Sequence, residues 1–152
     1  MIDPYFIYFH KKQSTMNPIL KNVLAVIAGV VIGSVVNMGL IIIGPSIIPI
    51  PEGIDPMDPE SLKAGMSLFK PIHFIFPFLA HALGTLVGAL VAAKIAATHK
   101  LKFALGIGII FLAGGIWNAM ELGGPMWFNI LDLFGAYIPM AMIGGKLGIG
   151  KN

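Results

Sequence analysis

Cysteine is absent from this 152-residue chain, and so is arginine: all ten basic residues are lysine. Without cysteine, a disulfide framework, a thiolate-bound metal and a thiol nucleophile are excluded together, while the redox compartment stays open. Charge of either sign is scarce. Charged residues make up 11% of the chain against 57% hydrophobic, and the mean hydropathy is +0.87, far from the balance of a globular domain. A membrane protein is therefore expected.

Signature motifs are missing too. There is no His-Glu-x-x-His, no Gly-x-Ser-x-Gly and no Walker-type loop, so no enzyme activity and no cofactor is expected. The formal charge of +3 does not make a nucleic-acid surface, because the lysines are scattered at helix ends without interleaved aromatics.

What the chain does have is long apolar runs. From Pro71 through Ala93 no Asp, Glu or Lys occurs over 23 residues, enough to cross a hydrocarbon core as a helix. The chain divides into four such spans, at about 19–43, 72–97, 103–120 and 128–147. They form one transmembrane domain over 19–147, between an N-terminal tail (1–18) and a C-terminal tail (148–152). The last span is the least regular, because Asp132 interrupts it and glycines crowd its Lys146 end. Gly44-Pro45 is expected to end the first helix. Met16 stands directly before Asn17-Pro18 and the first run, so residues 1–15 are read as an over-extended start. The first run is too long, and lacks an Ala-x-Ala site, for a signal peptide.

The fold class expected is all-α, a four-helix membrane protein built as two tandem hairpins. Setting Lys21 against Lys102 aligns Gly33 with Gly114 and Asn37 with Asn118, and one deletion later Gly44-Pro45 with Gly124-Pro125. This suggests a parallel internal repeat with an axis along the membrane normal. The loop from Gly44 to Lys70 is the one sizeable polar region. It holds a candidate short interfacial helix, with Asp58 as N-cap, Pro59 in the first position, and Leu62, Met66 and Phe69 on one side. That side is expected to insert into the bilayer surface.

Lysine placement sets the orientation. Lys11, Lys12, Lys21, Lys94, Lys100, Lys102, Lys146 and Lys151 fall on one side, and Lys63 and Lys70 on the other. The positive-inside rule then puts both termini in the cytoplasm, with a bacterial inner (plasma) membrane as the expected location. Trp117 and Trp127 fall at the outer interface, where indole is favoured.

Two kinds of residue stand out within the spans. Gly29 and Gly33, and Gly84 and Gly88, are small residues at helical spacing that let backbones approach, and they mark packing seams. The polar residues all lie in the outer half or at its boundary: Asn37, Asn118, His73, His81, Asn129, Asp132 and Glu121. His81 and Asp132 fall at similar depth. An ionisable group there costs about 2.5–3.5 kcal/mol, so such groups face inward and pair.

Two readings of the cluster follow. In one, His81 and Asp132, bonded with Asn37 or Asn118, take up a proton, an ion or a small solute, as in a transporter or channel protomer. In the other, the same groups only tie helices together, each inter-helix bond contributing about 0.6 kcal/mol. The second reading makes the protein an accessory or structural membrane subunit, partnered by the bilayer and by copies of itself or another membrane protein. No metal site is expected, since His73 and His81 are separated by about 12 Å of helical rise.

Overall fold

Asn17 starts the first helix by accepting the Ile19 amide at 2.9 Å, with Pro18 in the first position, where a missing N–H costs nothing. The computed structural model describes residues 16–150, so most of the N-terminal tail, with Lys11 and Lys12, and Lys151 of the C-terminal tail lie outside the described residues. Helix α1 runs Pro18–Ile47. It does not stop at Gly44-Pro45 as expected. Pro45 sits inside its last turn, where the ring forfeits only the bond to the Ile41 carbonyl, and the Ile48 amide still closes on Gly44 at 2.8 Å.

The polar loop then folds a short helix, α2 (Pro59–Gly65). Its N-cap Asp58 accepts the amides of Glu60 and Ser61 at 3.2 and 3.3 Å. Ile54 packs against Gly65, at a spot where no side chain would fit. Two single 3₁₀ turns, Met66–Leu68 and Pro71–Phe74, lead into α3 (Ile75–Ile95). The second of these turns is held by His73, whose Nδ1 accepts the Lys70 amide at 3.0 Å.

Helix α4 spans Lys100–Leu122 and ends at Gly123, whose φ of +63° suits glycine. The final span is not one helix. It breaks into α5 (Met126–Gly135) and α6 (Ile138–Ile149). Pro139 is the physical cause, since its ring would collide with the carbonyl of Gly135, four residues earlier, and it offers no amide to bond it.

Four helical segments are thus long and apolar enough to cross a bilayer: Pro18–Ile47, Pro71–Ile95, Lys100–Leu122 and the broken Met126–Ile149. No strand occurs among the described residues. The outward faces are apolar, with Ile19 on α1 73% and Phe134 on α5 77% exposed.

Glycine sets the packing. A Cβ built on Gly29 would stand 2.7 Å from the Gly88 carbonyl oxygen, and one on Gly33 2.7 Å from that of Gly84. The two glycine pairs therefore face each other in one antiparallel α1/α3 seam, with backbones in direct contact. Gly144 and Gly148 of α6 lie in the same way against Leu86 and Leu90 of α3, in parallel. Gly108 meets Ala141, and Gly145 meets Ala104, between α4 and α6. The glycines near Lys146 are thus a packing surface. Between the helices lie Ala89, Ala92, Ala93, Ala104, Ile107 and Ala141, all fully buried.

This register puts Lys21, Lys94, Lys100, Lys102 and Lys146 at one end of the bundle, the lysine end, and α2 at the other, the loop end. At the lysine end Asn22 clamps the α3/α4 turn. Its Oδ1 accepts the amides of Ala97 and Thr98 at 2.8 and 3.3 Å, and its Nδ2 donates to the Thr98 hydroxyl at 2.9 Å. Positions that the repeat alignment equates have unlike surroundings. Gly33 is in the α1/α3 seam, whereas a Cβ on Gly114 would meet nothing within 4 Å.

Candidate functional site

His81 lies in the second turn of α3, and α5 delivers Asp132 in its last turn, directly before the break. His81 Nδ1 is 2.9 Å from both carboxylate oxygens of Asp132. A carboxylate can only accept, so Nδ1 carries the proton. The chain then turns at Ala136-Tyr137, which swings the Tyr137 hydroxyl back to donate to Asp132 Oδ2 at 3.0 Å. The tyrosine ring stacks on the imidazole, with centroids 5.7 Å apart and planes 29° from parallel. Asp132 is 4% exposed and Tyr137 2%. A buried carboxylate is tolerable only when its oxygens are bonded, and here the two donors come from α3 and the start of α6.

This network borders a cavity of about 620 Å³. Helices α1 and α4 touch where Gly33 meets Phe111. Toward the loop end, Asn37 and Met38 on one helix and Gly114 and Trp117 on the other line the space between them. The roof is the polar loop. Helix α2 ends at Gly65, so of the three residues expected on one helical side only Leu62 lies on it, while Met66 and Phe69 follow in the 3₁₀ turn and its exit; all three line the cavity instead of lying free for the bilayer surface. An apolar hollow inside the bundle offers the same burial as lipid, with Ile54 on Gly65 fixing the tilt.

The residues singled out from the sequence separate into groups. His81 and Asp132 are hydrogen-bonded. Asn37 and Asn118 border the same cavity, but neither bonds the pair; Tyr137 takes the place expected of them. Asn37 packs instead against Gly84 of α3, and the helix break brings Tyr137 directly onto the pair. His73 borders the cavity near the loop, with one nitrogen already accepting from Lys70. Asn129 donates to the Gly124 carbonyl at 3.0 Å. Glu121 is exposed and does not line the cavity, because it points away from it in the last turn of α4.

Two residues were not singled out as site residues from the sequence. Tyr137 reaches Asp132 only because of the break, and Pro139 was the available sign. Thr85, one turn below His81, is fully buried and borders the cavity, yet its hydroxyl has no partner among the described residues. Among the described residues no three His, Asp or Glu side chains are grouped as a metal ligand set. No family model, curated protein or solved structure matches this chain.

Proposed function

We propose that this is a small integral membrane protein that binds a solute in the outer half of its helix bundle, as a transporter or channel protomer, with His81 and Asp132 as its proton-exchanging pair. The observation that carries this reading is the bonded His81, Asp132 and Tyr137 network standing at the wall of a 620 Å³ cavity. A pair serving only to tie helices together is best sealed by packing, since empty space beside it forfeits dispersion contacts. A hollow of this volume falls within the roughly 300–1,000 Å³ of small-molecule sites.

The accessory-subunit reading rested on small-residue seams as surfaces for a partner. Gly29, Gly33, Gly84 and Gly88 are engaged with each other within the chain, so they no longer call for one. Bilayer insertion is supported by the four apolar segments. The lysine end is assigned to the cytoplasm of a bacterial plasma membrane, and the cavity to the outer leaflet. The tandem-hairpin repeat draws support only from the alignment of α1 with α4.

The native chain has no cysteine, so accessibility of the cavity is directly measurable. In the reconstituted full chain, Asn37→Cys is expected to react with aminoethyl methanethiosulfonate added from the loop side, because a thiol must ionise in water to react. An unreactive Asn37→Cys beside a reactive Ser61→Cys control would overturn the reading.

A further inference from the structure

We propose that the occupant of this cavity is a lipophilic organic cation of single charge bearing N–H donors, held against Asp132 and displaced when His81 takes a proton. This rests on the reading of the cavity as a solute site and names the class of solute.

The charge census of the wall decides the sign. Helix α3 contributes His81, α5 contributes Asp132, the start of α6 contributes Tyr137, and the turn before α3 contributes His73. From α1 and α4 come Asn37 and Asn118, which do not titrate, and among the described residues no lysine or glutamate lines the space. With both imidazoles neutral the wall carries one negative charge; with His81 protonated it carries none. Asp132 is 4% exposed, and at a carboxylate so shielded an uncompensated charge is costly. One positive occupant therefore balances the deprotonated site, and a proton on His81 balances it equally well. Proton and cation become alternatives. An anion has no cationic group to meet.

Two further observations shape the occupant. The rest of the wall is largely apolar and aromatic, including Phe69, Phe111 and Phe128, whose ring faces attract organic cations. The Thr85 hydroxyl is fully buried at the cavity and unpartnered. Buried hydroxyls are rarely left so, and one that borders a hollow is completed by what enters it. Thr85 on α3, one turn from His81, and Asp132 on α5 are both acceptors at this wall, suited to N–H donors on a cationic ring system.

Ethidium, a flat monovalent cation with amino groups, and neutral phenanthridine, its uncharged ring system, separate these features. Both are titrated into the purified full chain in neutral detergent, with binding read by fluorescence. Ethidium is expected to saturate and phenanthridine to bind at least about tenfold more weakly. Ethidium affinity should fall by up to about tenfold per pH unit as His81 protonates, the signature of one proton exchanged for one ligand.

Asp132→Asn should lose at least about tenfold in ethidium affinity, and His81→Gln should flatten the pH profile while binding persists. If Asp132→Asn fails to elute as a single species, Thr85→Val serves instead and should weaken ethidium while leaving phenanthridine unchanged. Equal affinity for the two probes with a flat pH profile would sink the cation assignment and leave the solute site standing. Absence of any saturable ethidium binding would sink it too, and Asn37→Cys labelling then decides separately whether the solute site survives.

Discussion

At the scale of single residues, the site is a carboxylate that cannot be left alone. Tyr137→Phe removes one of the two donors to Asp132 and keeps the stacked ring. It should destabilise the protein by about 1–3 kcal/mol, read as a shift in the denaturation midpoint in mixed detergent. Thr85→Val should move stability the other way or not at all, because it replaces an unbonded hydroxyl with a methyl of similar size. A loss of more than about 1 kcal/mol would show that the Thr85 hydroxyl has a partner in the folded state. Depth along each apolar run was enough to put His81 opposite Asp132, since each helix advances by a fixed rise per residue. It was not enough to find Tyr137. That contact depends on the break between Gly135 and Ile138, and counting along an uninterrupted helix carries Tyr137 a turn beyond Asp132.

At the scale of elements, glycines of two kinds predict opposite outcomes. Gly88→Leu drives a side chain into the Gly29 carbonyl, 2.7 Å from where even its Cβ would lie. It should separate α1 from α3 and cost several times the roughly 1–3 kcal/mol of ordinary overpacking, read as loss of a single species on size exclusion. Gly106→Ala meets nothing within 4 Å and should be neutral or stabilising by about 0.5–1 kcal/mol. Spacing alone identified the α1 and α3 glycines as seam residues, because small residues recur there every fourth position. It did not separate Gly33 from Gly114, which differ only in what faces them. Helix ends were less legible than helix centres. Pro45 is tolerated and Pro139 is not, and the difference is position: the first falls in a final turn, the second in the middle of a would-be span.

At the scale of the whole molecule, the bundle is asymmetric from end to end. The lysine end is closed by alanine and glycine contacts and by Asn22, and the loop end is hollow. On the positive-inside reading, Ser61→Cys should be labelled by an impermeant maleimide from outside intact cells and Thr98→Cys should not; the reverse pattern would invert the orientation. The transport reading adds that His81→Ala and Asp132→Asn should each abolish a pH-dependent flux of a cationic dye from proteoliposomes, measured per folded protein. Composition and run length made the four-segment architecture plain from the sequence. The hollow was not visible there, because it arises where α1 and α4 part, and no residue pattern within either helix records the distance to the other.

The Asn22 clamp bears on how the chain is made. Its amide partner Ala97 is 75 residues further along, so Asn22 leaves the ribosome long before anything exists for it to hold. On the membrane reading, the first helix enters the bilayer on its own hydrophobicity. The clamp on Asn22 can close only once the turn after α3 has emerged.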